Sequence, residues 1–590
     1  MNKKNYIMAA VVGCVIIAFF VFRSHDSEDG QNYTDSVTQT SLTDNNNISP
    51  QDLSESDTKT DNNKITEDTE IKTDNEEEDN ITDFSDFIDM SKWLYNDKDN
   101  VYYQTGIVYT PTPADTTYQK LALFIPEKYM NCQKNINQTY RCQTDKNGAE
   151  VNKYRSYNAP FVLEVESPDF AAMSALDKYQ NHRPYTDAGI IYVHIGFRGI
   201  KSGAPYGVTD LKTAIRYLRN NKDLLPGDTS AIYAIAVNQG AMLAAVLGAS
   251  GNDKLYLPYL KENGAFTRID DNIKGVMLIN PVSGLDTANE AIEWFIGYNR
   301  KNMTDEQKKL SDRMAKEYAN YVNRAGFVLG ADRGLTLQYS DEGIYQGGSY
   351  HDYIKEIIIE SLQQYLREHP FPLTIPKSWQ ISEDEAQKLD NIKLSGIIPT
   401  KDKFYSILNS HKVWITDYGM HGTKIKSLTE FKRIFLRTVP TLFSVDGLDK
   451  QQKANILFGE GSGKGVRFDT YTSQILKNLP SYKENTGDLY KRDKNGYMTT
   501  KRAGMYNPLY YLLPSYEGYN TTDVAPFWYI RSGLFQTTSP ITSAINLILA
   551  VRKVKNVKYV DKQIIWGMGD VERITDENRK SFINWIARHK

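Results

Sequence analysis

At 590 residues and a net charge of -3, the chain is long enough for several domains or for one α/β core carrying a large insertion. So even a balance points neither to nucleic acid nor to an acidic substrate. It hides a strong asymmetry, because residues 24–82 hold 17 acidic and 3 basic side chains and leave the remainder mildly basic.

Lys3 and Lys4 precede the uncharged apolar run 7–22, which Arg23 closes. Its 16 residues fall slightly short of the about 17–25 of a spanning helix, and the flanks extend it. No small-x-small cleavage site follows Phe22, so residues 1–23 are expected to be a retained membrane anchor. The positive flank places the N-terminus inside and the rest outside the cytoplasm, in a periplasm or at a cell surface. Two rivals stand beside this reading: lipid attachment at Cys14, in Val12-Gly13-Cys14, and a cleaved signal. Residues 24–83 are rich in Asp, Glu, Asn, Ser and Thr and nearly lack aromatics, as expected of a disordered acidic linker.

The folded domain is expected over 84–590. Segments 101–111 and 118–126 alternate like antiparallel strands. Cys132 and Cys142, the only cysteines beyond the anchor, are close enough in sequence to form a disulfide in an oxidising compartment. Segment 189–196 is a continuous apolar run, as in a strand buried on both faces, and 207–222 follows with helical spacing. The next stretch, 232–251, changes from a strand-like run to a small-residue helix at Asn238-Gln239-Gly240. That is the setting of a nucleophile elbow. Segment 273–280 is a further buried strand. Between about 285 and 523 amphipathic helices (305–325, 350–368, 383–389) predict a mostly helical lid insertion. Strands at 526–530 and 557–566 and helices at 541–554 and 570–589 complete the core. Strands alternating with helices predict an α/β protein with a doubly wound, mainly parallel sheet.

Several landmarks belong together. They are the helix from Gly203 onward; Leu247-Gly248-Ala249-Ser250-Gly251-Asn252; Asn280-Pro281-Val282-Ser283-Gly284-Leu285-Asp286 with Glu293-Trp294; Asn455-Ile456-Leu457-Phe458-Gly459; and Tyr506-Asn507-Pro508. Jointly, from about residue 100 to 588, they resemble the bacterial subtype B tannases (tannase/feruloyl esterase-like), a branch of the α/β-hydrolases. The resemblance implies an α/β-hydrolase fold and an ester-cleaving Ser/His/Asp triad. Position by position, the implied triad is missing. The family's Gly-x-Ser-x-Gly falls on Ala236-Val237-Asn238-Gln239-Gly240, and an amide nitrogen cannot act as an activated alkoxide does. Asn does tolerate the positive φ of an elbow. The acid loop after 529–533 reads Leu534-Phe535-Gln536-Thr537-Thr538-Ser539, with neither Gln536 nor Thr538 able to carry the negative charge that steadies an imidazolium. The base loop reads Trp566-Gly567-Met568-Gly569-Asp570, with Gly567 where relatives carry histidine.

Gly196, Phe197 and Arg198, following a buried strand, are candidates for one side of an oxyanion hole, with Gln239 on the other; the competing reading is a glycine-rich turn. Arg198 is either an anion binder or a structural partner. His194 fits a core histidine and His351 a helix surface. His411 and His421 flank Asp417 without a metal-ligand pattern, and no metal or cofactor is expected. The 459–465 glycine-rich run lacks P-loop spacing. The expected protein is therefore a membrane-anchored, extracytoplasmic hydrolase relative without ester hydrolysis. It would bind a small phenolic, ester or carbohydrate ligand or an envelope protein partner. The alternatives are an active carboxylic ester hydrolase with a relocated nucleophile (Ser532 or Ser539) and a purely structural surface protein.

Overall fold

The computed structural model describes residues 84–589, apart from 298–299, 301, 342, 376–378, 380–396, 418, 420–421, 437–440, 460, 462, 480–485 and 537–538. The expected anchor and linker, the helix at 383–389, Thr538 and His421 lie outside the described residues. Among the described residues no helix is long and apolar enough to cross a membrane.

A nine-stranded sheet forms the centre. Its strands are β1 (Leu94–Asn96), β2 (Val101–Val108), β3 (Lys120–Pro126), β6 (Phe161–Val165), β7 (Ile191–Ile195), β8 (Ile232–Val237), β9 (Gly275–Ile279), β10 (Phe527–Gly533) and β11 (Tyr559–Ile565). A separate hairpin, β4 (Met130–Lys134) and β5 (Tyr140–Thr144), sets Cys132 opposite Cys142, and the two are joined in a disulfide. The sheet order is β1-β2-β3-β7-β6-β8-β9-β10-β11. The strands from β7 to β11 are parallel, whereas β1 to β3 run antiparallel at one edge.

Helices cover both faces. Before β9 in the chain come α1 (Arg183–Thr186), α2 (Tyr206–Asn220), α3 (Asn238–Ala249) and α4 (Leu257–Glu262), with α1 on the face of the last helix, Asp576–Arg588. Gly248 of α3 packs against Val276, while Trp585 of the last helix packs against the neighbouring Gly275. Adjacent strand residues point to opposite faces, so these two helices sandwich β9. Every residue of β7, β8 and β9 is buried, which explains why they read as unbroken apolar runs. Between β9 and β10 the chain leaves the sheet and forms α5 (Ala288–Phe295), α6 (Asp305–Ala325), α7 (Ser349–Glu368), α8 (Leu428–Phe435), α9 (Lys453–Phe458) and α10 (Thr470–Lys477), among shorter pieces. It returns through α11 (Thr542–Arg552) and ends in α12 (Asp576–Arg588).

One parallel strand of the central sheet is absent from the expected elements. Phe161–Val165 is interrupted by Glu164, yet it lies beside the elbow strand, between β7 and β8. Glu164 is only 7% exposed and is held by Arg579, 415 residues away, at 2.6 and 3.0 Å, and by the Tyr185 hydroxyl at 2.7 Å. A buried carboxylate is tolerated when paired and hydrogen-bonded in this way.

Candidate active site and the elbow cavity

The elbow forms between β8 and α3. Asn238 has φ 49°, the left-handed backbone that lifts an elbow residue above the sheet. Gly240 is required behind it, since a Cβ there would lie 2.3 Å from the Val165 carbonyl of β6. What Asn238 does with its side chain decides the chemistry. Its Nδ2 donates to the backbone carbonyl of Val571, on the segment following β11, and its buried Oδ1 has no hydrogen-bond partner. A serine hydroxyl in a hydrolase would offer its proton here to an imidazole; a peptide carbonyl has no useful proton affinity.

The other two positions expected for a triad are also engaged in structure. Gln536 turns back onto its own strand, donating to Ser532 Oγ at 2.8 Å and to the Gly533 carbonyl at 3.2 Å. Gly567, at φ 77°, lies under the indole of Trp379, whose Nε1 would be 2.2 Å from a Cβ added at 567. Trp379 belongs to an aromatic cluster with Phe435, Phe535 and Trp566, the rings 5.5 to 6.4 Å apart from it. This cluster fills the space between the loops that follow β10 and β11. Of the relocated candidates, Ser532 is fully buried and bonded by Gln536, and Ser539 Oγ donates to the Pro540 carbonyl at 3.4 Å.

The loop 196–199 does not adjoin the elbow, which corrects the expectation for one side of an oxyanion hole. It follows β7, and β6 separates β7 from β8. Three of its four amides are already used: Gly196 donates to the Lys120 carbonyl and Phe197 to that of Met173, each at 2.9 Å, and Arg198 donates to Asp210 at 2.9 Å. The Arg198 guanidinium is spent too, bidentate on Asp210 at 2.9 and 2.7 Å, with Asn263 at 2.9 Å and the Tyr206 ring beneath it. The loop that does face the elbow follows β6. There Asp169 and Phe170 take consecutive positive φ values of 52° and 61°. Non-glycine residues in that region are strained, and such strain concentrates at functional sites. The dipeptide carries no sequence pattern that announces it.

A cavity of about 180 Å³ opens beside the elbow, with Phe170 and Gln239 in its wall. Ser283, Ser543, Tyr318 and Asn546 add polar groups, and Val282, Ala291 and Ile292 apolar ones. Asn238, Gln536 and Gly567 do not line it, nor does any histidine among the described residues. His351 is buried on α7 with neither ring nitrogen bonded, and burial pushes its pKa down to about 3. His411 pairs with Glu430 at 3.2 Å. Among the described residues no group of three or more His, Cys, Asp or Glu side chains could hold a metal ion.

No protein-family model matches the chain, and no curated protein matches it. Solved structures do. The chain superposes on the tannase of Fusobacterium nucleatum with a TM-score of 0.62 at 22% identity, covering 86% of this chain and 99% of that one. For native tannin acyl hydrolase from Lactobacillus plantarum the TM-score is 0.61 at 20% identity, over 83% of this chain and 94% of that one. A tannin acyl hydrolase in complex with ethyl gallate gives 0.59 at 20%, with the same coverage. The fold is tannase-like. The landmarks quoted from the sequence thus sit on the architecture they imply, while the elbow side chain is engaged by a carbonyl.

Proposed function

We propose that this chain is a hydrolase-fold protein that has given up ester hydrolysis and holds a small ligand in the cavity beside Gln239. The observation that carries this is the Asn238 amide bonded to the Val571 carbonyl, with Trp379 packed onto Gly567 where a base would stand. One protein of similar fold is a tannin acyl hydrolase in complex with ethyl gallate, which supports a small aromatic ester as the ligand. At about 180 Å³ the cavity falls below the roughly 300–1,000 Å³ usual for drug-sized ligands, and so suits a single small ring. Its mixture of hydroxyls, amides and aliphatic carbons fits a phenolic compound, a small ester or a monosaccharide. The segment between β9 and β10 acts as a lid, contributing α5 to the cavity wall. Residues 1–23 anchor the protein and residues 24–83 hold the folded part outside the cytoplasm, in keeping with the disulfide.

The test uses the full-length chain in detergent. Methyl gallate is titrated calorimetrically, and its hydrolysis is followed separately. Binding without turnover is expected, with binding lost in Ala291→Phe, which fills the cavity. Steady turnover of methyl gallate contradicts the proposal.

A further inference from the structure

A second and larger opening lies elsewhere. On the face of the sheet covered by α12, a cleft of about 650 Å³ opens between α1, the strands β6 and β7, and the first turn of α12. It shares no lining residue with the elbow cavity.

Its hydrogen-bonding capacity is lopsided. Four carboxylates (Glu164, Glu166, Asp187, Asp576) face two guanidiniums (Arg183, Arg579), so the lining has two negative charges in excess. The Arg579 guanidinium is bonded through all three nitrogens, and that of Arg183, half exposed, through Nε. Arg579 holds Glu164 bidentately and Asp576 at 2.9 Å, and Arg183 donates to Asp187 at 3.1 Å. Glu166 spends one oxygen on the Ile574 amide, at 2.8 Å.

Two imidazoles add no charge, and one of them adds an acceptor. His194, 7% exposed, bonds the Ser174 carbonyl through Nε2 at 2.8 Å. A carbonyl can only accept, so Nε2 carries the proton and Nδ1 is a lone-pair acceptor with no protein donor among the described residues. His182 stacks on Tyr192 at 3.8 Å, and its buried Nε2 has no partner. Burial, aided by His194, pushes the His182 pKa down to about 3, and burial lowers that of His194 as well. Both rings are therefore neutral near pH 7. A cleft with two carboxylates in excess, an unbonded imidazole acceptor and an aromatic wall disfavours an anion and suits a cationic donor.

We propose that this cleft binds an organic cation, a primary ammonium or guanidinium on a short chain, with Glu166 as its counter-ion and His194 Nδ1 as a second acceptor. The group could be carried by a free amine or by a lysine or arginine side chain of another protein.

Calorimetric titration of the full-length chain with cadaverine and agmatine tests this, with glucose and sulfate as neutral and anionic comparators. A capped tripeptide with a central lysine separates the two sources: weaker binding than cadaverine assigns a free amine, and equal or tighter binding a protein side chain. Saturable cation binding that weakens with added salt is expected. Glu166→Gln keeps an acceptor for the Ile574 amide and should weaken binding by about tenfold or more with the unfolding midpoint unchanged. Asp187→Asn, on the exposed rim, should weaken it less and serves if the first variant is unstable. Absence of saturable binding by both amines at millimolar concentration overturns the proposal. So does wild-type affinity in both variants, or a preference for glucose or sulfate.

Discussion

The glycine at position 567 yields a quantitative expectation. Gly567→Ala meets two costs. At φ 77° an L-residue sits in the left-handed region, which costs about 1–2 kcal/mol. The new methyl would also lie 2.2 Å from Trp379 Nε1, 2.5 Å from Cε2 and 2.7 Å from Cζ2. The indole is 3% exposed within its aromatic cluster, so it cannot step aside freely, and overpacking of this kind costs about 1–3 kcal/mol. Replacing glycine lowers the entropy of the unfolded chain and returns about 0.4–1 kcal/mol. The net expected loss is about 1–5 kcal/mol. Urea unfolding followed by tryptophan fluorescence measures it. Repeated in a Trp379→Leu background, the same substitution should lose the steric share and cost about 1 kcal/mol. A loss under about 0.5 kcal/mol, or an equal loss in both backgrounds, would refute the placement of Trp379 over Gly567. By the same logic, Asn238→Ser combined with Gly567→His should not recreate an esterase, because the imidazole has no room.

Three further outcomes follow from the geometry. Arg198→Ala should destabilise by about 3–5 kcal/mol, because it leaves Asp210 buried and unpaired, and it should not alter ligand affinity in the elbow cavity; denaturation and calorimetry on one preparation separate the two. Replacing Cys132 and Cys142 by serine removes a crosslink spanning 10 residues and should cost about 2–3 kcal/mol in thermal or urea unfolding. The third concerns pH. The Thr472 hydroxyl lies 2.7 Å from Glu290 Oε1 and 2.7 Å from Asp469 Oδ2, and with one proton to give it requires a carboxyl to be the other donor. Burial raises both pKa values, helped by Asp469 for Glu290 and by Asp446 for Asp469. The folded state then keeps protons that the unfolded chain releases, so the contribution is full below the ordinary carboxylate range and lost as pH rises through the raised values. Glu290→Gln should flatten that decline between about pH 5 and about pH 8, and an unchanged slope in the unfolding midpoint would contradict the shared proton.

What was legible in the sequence is what local chemistry writes there. The helix Asp305–Ala325 has the expected bounds because Thr304 and Gln307 form a capping box at one end and Gly326 takes φ 65° at the other. The elbow was visible because β8 is buried on both faces and Asn238 suits positive φ. The strand Phe161–Val165 was not, since Glu164 breaks its apolar run and the partner that makes this tolerable lies on α12. Missing that strand misplaced the loop expected beside the elbow by one position in the sheet. Trp379 on Gly567 and Asn238 on the Val571 carbonyl join residues 188 and 333 apart, and no spacing rule reaches so far. The acceptor-rich cleft was hidden for the same reason, being assembled from two strands and two helices distant in sequence.

The most direct measurement is covalent. Full-length protein is incubated with a fluorophosphonate, its mass determined intact, and methyl gallate hydrolysis assayed on the same sample. A chain whose elbow has lost nucleophile, acid and base should gain no adduct and release no gallate. A stoichiometric adduct on a serine, accompanied by loss of a measurable esterase activity, would contradict the account.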